Sequence, residues 1–299
     1  LFPEFSDEEL KVDFDKNQDV LSKFKAFSFQ LSSNGEMLYN NLFLNYSEVK
    51  EDKPHAVWES YIDTVFDFKP RILKSHSKGE TNILIQDKNN TVYLINKSGR
   101  IIWRQRLKEA IISDIYNVDF FKNGKIQWLF NTKNHLYVID KLGNFVENFP
   151  VTLLNPASAG LSVFDYDNKR DYRIFIPGED RKVYLYDIHG KTLEGWTFEK
   201  TDGIVSSPIK YFRIADKDYI VFNDKFNVYI LNRKGEIRIK PLERFEIPPN
   251  TSLFFSSSSD DVDAHFSITD IEGNIKHLYL DGKVKTFSIE KFSNSHYFS

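Results

Sequence analysis

Asp165, Asp167 and Asp171 stand together in the run FDYDNKRD, an oxygen-rich spacing of the kind calcium loops use. Lys169 occupies a position where a further ligand belongs, Arg170 follows it, and no Gly makes the sharp turn such loops need. The run therefore reads first as a solvated hairpin turn whose Asp and Asn side chains cap the backbone. FFSSSSDDVD (254–263) reads in the same way, as a polar loop before it is a cation site. The seven His (His55, His76, His135, His189, His265, His277 and His296) form no H-x-x-x-H pair and no HExxH, so a helical zinc site has no support. There is no G-x-S-x-G elbow, Walker loop or G-x-G-x-x-G loop. With no Cys at all, a thiol nucleophile, a thiolate metal site and a disulfide are excluded. KSGRIIWRQRLK (97–108) places five basic residues around Trp103, a combination able to stack on nucleobases. Alternating Arg104 and Arg106 are equally what an exposed strand edge uses to resist pairing with another chain, and that is the reading adopted. No catalytic, cofactor-binding or metal-ligating residue is assigned, no cofactor is expected, and the partner-binding residues are left open.

These residues need elements to position them, and the elements announce themselves by repetition. TVYLINKSGRIIW (91–103) returns as HLYVIDKLG (135–143), KVYLYDIHG (182–190) and NVYILNRKG (227–235), with a worn copy, IKHLYLDG, at 275–282. The glycines Gly99, Gly143, Gly190, Gly235 and Gly282 follow one another at intervals of 44, 47, 45 and 47 residues. Tyr93, Tyr137, Tyr184 and Tyr229 each stand six before their Gly, and Asn96, Asp140, Asp187 and Asn232 stand three before it. A period near 45 is that of four-stranded propeller blades. The apolar run reads as a strand buried on both faces. The Asx-to-Gly stretch reads as a tight hairpin turn with Gly at positive φ. Each period holds four strands: an inner run such as PRILKSH or GLSVFDY, a second such as TNILIQ or DYRIFI, the Tyr strand, and an outer strand. Outer strands are expected near residues 57, 103, 146, 196, 238 and 286, with Trp58 closing the earliest copy, whose other strands are 24–33 and 36–47. HYFS (296–299) is expected to begin a further inner strand.

The expected fold is an all-β propeller of about six four-stranded blades, alone or as part of a seven- or eight-bladed ring. It occupies residues 23–299 behind an acidic N-terminal extension, 1–22, where SDEE (6–9) suits a helix-capping box. The 299 residues are 41% hydrophobic and 15% aromatic, enough for a large core. The net charge of −3 gives no reason to expect nucleic acid as a partner. No apolar run approaches the roughly 18 residues that would span a bilayer. Leu1 and a single Met37 suggest a piece of a longer precursor. Membrane association is then expected only through a segment absent from this chain or through a partner.

VYLIN-KSG-RIIW resembles the repeat of PQQ-like propellers, in which a Tyr strand enters an Asp-to-Gly turn and a Trp follows on the outer strand. Trp58 and Trp103 match that Trp, Trp196 matches with a two-residue offset, and the later copies lack it. FDYDNKRDYRIFI, EDRKVYLYD, GWTFEKT, KDYIVF and DGKVKTFSI together resemble a family of large, uncharacterised bacterial envelope proteins whose C-terminal part is a propeller. The likeness spans about residues 35–299. It implies an envelope location, periplasmic or outer-membrane associated, and brings no activity to transfer. The quinone chemistry of PQQ-dependent dehydrogenases is not expected, since their vicinal disulfide has no counterpart here. A distant likeness to the propeller lipoprotein of the outer-membrane assembly machinery suggests a scaffold that binds protein in an envelope complex. The alternative is a carbohydrate-active hydrolase or lyase with acidic residues in the propeller funnel. Function is expected in the irregular connections 47–57, 178–182 and 256–263.

Overall fold

Alternation within each repeated phrase decides how the sheets stack. In QWLFN, Trp128 and Phe130 point to one side of the sheet and Leu129 to the other, and all three are buried. The computed structural model describes residues 81–257 and 263–290 without a gap, together with 12, 16–21, 23–33, 35, 38–46, 58, 62–66, 68–74, 293 and 296–298. Among the described residues it is all-β apart from short helical stretches near the N-terminus, with sheets built as propeller blades, and it divides into two compact units, 1–59 and 60–299.

In the first unit, helix α1 (Gln18–Leu21) precedes an antiparallel hairpin of β1 (Phe24–Ser33) and β2 (Leu38–Tyr46). Phe27 faces Leu44 and Phe29 faces Leu42, so one side of the hairpin is apolar. The SDEE capping box, the connection 47–57 and most of the strand expected around Trp58 lie outside the described residues.

The second unit holds five consecutive blades. Blade 1 contains β3 (Arg71–Lys74), β4 (Thr81–Gln86), β5 (Thr91–Asn96) and β6 (Ile101–Arg106). Blade 2 contains β7 (Tyr116–Val118), β8 (Gln127–Asn131), β9 (His135–Ile139) and β10 (Val151–Thr152). Blade 3 contains β11 (Ser162–Phe164), β12 (Arg173–Pro177) and β13 (Val183–Tyr186). Blade 4 contains β14 (Lys210–Ile214), β15 (Lys217–Asn223), β16 (Val228–Leu231) and β17 (Ile237–Ile239). Blade 5 contains β18 (Phe254–Ser256), β19 (His265–Thr269), β20 (Ile275–Tyr279) and β21 (Val284–Phe287). Within each blade the strands pair in chain order, all antiparallel.

Both faces of the middle strands are used. Trp128, Phe130, Tyr137 and Ile139 of blade 2 pack against Leu84, Val92 and Leu94 of blade 1. Leu129, Leu136 and Val138, on the opposite face, pack against Ile174 and Ile176 of blade 3. Phe175 then meets Ile220 and Phe222 of blade 4, while Val221 and Ile230 meet Phe266 and Leu278 of blade 5. The core is thus a series of sheet-on-sheet layers, and no blade buries both its faces alone.

Two outer strands depart from expectation. In blade 2, Phe145 makes a single bridge to Ile139, and regular pairing begins only at Val151. Asn148 lies at φ 68° and Pro150 has no N–H, so the chain cannot pair through 148–150. In blade 3, pairing stops at the Tyr186–Thr192 bridge, because Gly195 at φ 86° turns the chain before Trp196. HYFS also differs from expectation. Residues 296–298 form no strand, and Phe298 instead accepts from the Ser252 amide at 2.8 Å and donates its own amide to Thr269 Oγ1 at 3.1 Å.

Candidate functional site

The antiparallel meander sends the loops of the second unit to two ends. One end carries the turns between first and second strands and the Asx-to-Gly turns. The other, the latch end, carries the turns between second and third strands and the connections that enter each blade. On the latch end the repeated Tyr finds its role. Tyr93 donates to Asp87 at 3.0 Å, Tyr184 to Asp180 at 2.7 Å and Tyr229 to Asp224 at 2.9 Å. Burial pushes the Asp87 carboxyl up, but the Thr91 amide, the Tyr93 hydroxyl, the Asn89 amide and Thr64 outweigh it and hold the group below its ordinary range. Burial and then the bond to Asp180 push the Tyr184 phenol up to about 12. Asp202 N–H in turn donates to the Tyr229 hydroxyl at 2.9 Å, tying a connection to a blade. In blade 2 the Asp is missing and Glu109 replaces it, accepting from Thr132 Oγ1 at 2.6 Å and the Asn134 amide at 2.9 Å. Burial alone would raise Glu109; the bonds from Asn134, Thr132 and His135 win and take it down to about 2. These acids are committed to structure.

The Asx-to-Gly end carries the residues that sequence marked for chemistry, and most of them are spent on each other. Asp165 accepts from the amides of Lys169 and Arg170, at 3.0 and 2.7 Å. Asp167 accepts from Arg233 at 3.2 Å, and Asp171 grips Arg173 through two bonds of 2.7 and 2.8 Å. Their partners hold Asp167 and Asp171 below the usual carboxylate range. FDYDNKRD is therefore a capped, ion-paired turn, as its Lys and Arg suggested. Arg233 also pairs with Asp218 at 2.6 Å and lies over the Tyr166 ring at 4.3 Å. His189 packs edge-on against Phe120, while His265 and His277 stack at 4.1 Å on blade 5. Among the described residues no three His, Asp or Glu gather as metal ligands. FFSSSSDDVD lies in part outside the described residues, at 258–262.

Trp103 is turned inward, where it is not free to stack on a base. Its indole N–H donates to Lys141 O at 3.0 Å, and its ring covers Gly143 in the next blade. Arg104 and Arg106 stay exposed on the outer strand.

The latch end offers a broad depression, while the Asx-to-Gly end has a smaller one of about 260 Å³ among Asp165, Asp167, Asp171 and Arg233. A mouth of about 540 Å³ opens among Ile112, Ala157–Gly160, Ile204 and Pro208. Its two charges, Lys133 and Glu179, neutralise one another at 2.7 Å. Glu179 belongs to 178–182, the one expected functional connection that is fully described, and it reaches the mouth. Ile204 is 53% exposed there, Ile112 is 42% exposed, and Leu154 on the same end is 67% exposed. Repetition in the sequence drew attention away from these residues, because they sit between the repeated phrases. Further in, the innermost strands of blades 2–4, strand β15 and the connection entering blade 5 line an inner cavity of about 290 Å³. Among the described residues Asp114 is the sole acid lining it, and Arg71 holds it at 2.8 Å. A funnel glycosidase uses two facing acids, and one is described here. Every carboxyl with a resolved shift in the described residues is lowered, the opposite of what a general acid requires.

No protein-family model matches the chain, and no curated protein matches it. Solved structures share its architecture. The BBS1N chain from a crystal structure of BBS1N in complex with ARL6DN is 9% identical, with a TM-score of 0.51, over 77% of this chain and 69% of that one. BamB from Moraxella catarrhalis is 13% identical, with a TM-score of 0.47, over 74% and 61%. The V. cholerae biofilm matrix protein Bap1 is 14% identical, with a TM-score of 0.47, over 76% and 41%. At such identities the likeness concerns the fold alone, and the fold supports many functions.

Proposed function

We propose that this chain is a non-catalytic propeller scaffold that binds a protein partner through its latch end. The mouth is the observation that carries this reading. It is concave, its one ion pair is internally neutral, and Ile112 and Ile204 present aliphatic surface in it. Exposed aliphatic groups at a polar-rimmed depression mark interaction surfaces. The surface is aliphatic rather than aromatic, so an apolar loop or helix of the partner suits it. On the opposite end the candidate acids Asp167 and Asp171 are already paired with arginines. In this proposal the partner belongs to a bacterial envelope complex, a reading that the resemblance of the repeats to an envelope family supports. No helix among the described residues is long and apolar enough to cross a membrane.

The test is affinity capture from a native envelope fraction with the wild type and with the Ile112→Glu/Ile204→Glu variant. A specific partner retained by the wild type and lost by the variant, at unchanged melting temperature, is the expected result. No partner above background, or equal capture by both, would overturn the reading.

A further inference from the structure

The inner cavity contains a cation without a carboxylate counter-ion among the described residues and a buried hydroxyl that neighbours the Tyr116 phenol. Lys210, on innermost strand β14, sends its ammonium to the Leu253 carbonyl at 2.6 Å and sits 4.9 Å from the Phe254 ring centre. Among the described residues no carboxylate pairs with it. Burial pushes its pKa down, with no acid nearby to raise it again. Ser162, on innermost strand β11, is 2% exposed, and its Oγ makes no hydrogen bond of ordinary geometry, its interaction with the Tyr116 hydroxyl falling short of one. A buried hydroxyl so poorly paired is stabilised by a group that accepts a full hydrogen bond from it. Both residues line the same cavity, as do Tyr116 and Phe164, whose rings give it apolar wall. The cavity's acid, Asp114, is already neutralised by Arg71.

We propose that this cavity is a binding site for a small carboxylate anion. The carboxylate takes the counter-ion place at Lys210 and accepts from Ser162 Oγ, and the rest of the molecule lies against Tyr116 and Phe164. Charge-assisted bonds of this kind are about twice as strong as neutral ones. The volume of about 290 Å³ sits at the lower end of ligand cavities, which run from roughly 300 to 1,000 Å³. That size admits a compact organic acid and not a polymer. Pro208 borders both the mouth and the cavity, so the ligand arrives through the latch end.

The experiment is an NMR titration of the folded chain with acetate, benzoate and succinate, each beside its uncharged amide. Saturable shifts at the amides of Ser162, Lys210 and Leu253 are expected with at least one acid and with none of the amides. Lys210→Gln should weaken binding about tenfold or more, and Ser162→Ala several-fold. In the wild type, binding should raise the pH at which Lys210 loses its proton, which keeps the test decisive if Lys210→Gln fails to fold. Silence from all three acids, equal shifts from the amides, or an unmoved Lys210 titration would sink the proposal. Capture of a protein partner is a separate readout, so either idea can fail alone.

Discussion

Gly143 answers two demands at once. Its φ of 87° lies in the left-handed region, and a Cβ there would stand 2.7 Å from the Trp103 ring of the preceding blade. Gly235 meets Phe198 and Trp196 in the same way, and Gly190 meets Val151. Gly143→Ala should therefore cost about 1–3 kcal/mol, read as a lowered urea midpoint. An unchanged midpoint would mean that the turn relaxes away from Trp103. Removing only the Tyr184 hydroxyl, in Tyr184→Phe, should cost about 0.5–1.5 kcal/mol, because the bond to Asp180 is lost while the ring stays. Glu109 governs an acid limb. Its folded pKa, about 2, lies below the ordinary value of 4.5, so its stabilisation is complete above pH 4.5 and disappears as pH falls through 2. Glu109→Gln should flatten stability across that window in urea titrations at successive pH values. The Gly and Tyr spacings were legible in the sequence, and the latch was not. Asp87, Asp180 and Asp224 stand six, four and five residues before their Tyr, so no fixed offset marks the partner.

At the level of elements, the sequence reported strands where pairing and burial agree with local pattern. TVYLIN, HLYVI, VYLY and VYIL are buried on both faces and form the third strand of blades 1 to 4, as the phrase required. Outer strands were less legible, because only one of their edges pairs. There, Asn148, Pro150 and Gly195 prevail over strand propensity. Side chains at the layer between blades carry most of the stability. Phe130 is fully buried between blades 1 and 2 and stacks on Tyr137 at 5.4 Å. Phe130→Ala should cost about 3–5 kcal/mol in chemical denaturation. An effect below about 1 kcal/mol would show that the layer can collapse around the gap.

Across the second unit, each blade shares an apolar layer with the next, so stability is a sum of blades and interfaces. Phe130→Ala should accordingly speed amide exchange in blades 1 and 2 more than in blade 5. Uniform acceleration in all five would instead indicate a single cooperative unit. What the sequence determined by itself was the architecture: a period of about 45 residues, a two-faced strand and an Asx-to-Gly turn are local requirements, written wherever the chain must satisfy them. Only the tertiary structure decided where function is sought. Ile112, Ala157, Ile204 and Asn250 are far apart in the chain and belong to no motif, yet they meet at one mouth. Ser162 and Lys210 become a candidate site because two innermost strands face one cavity. Their convergence depends on how blades pack side by side, and spacing along a single strand does not record it.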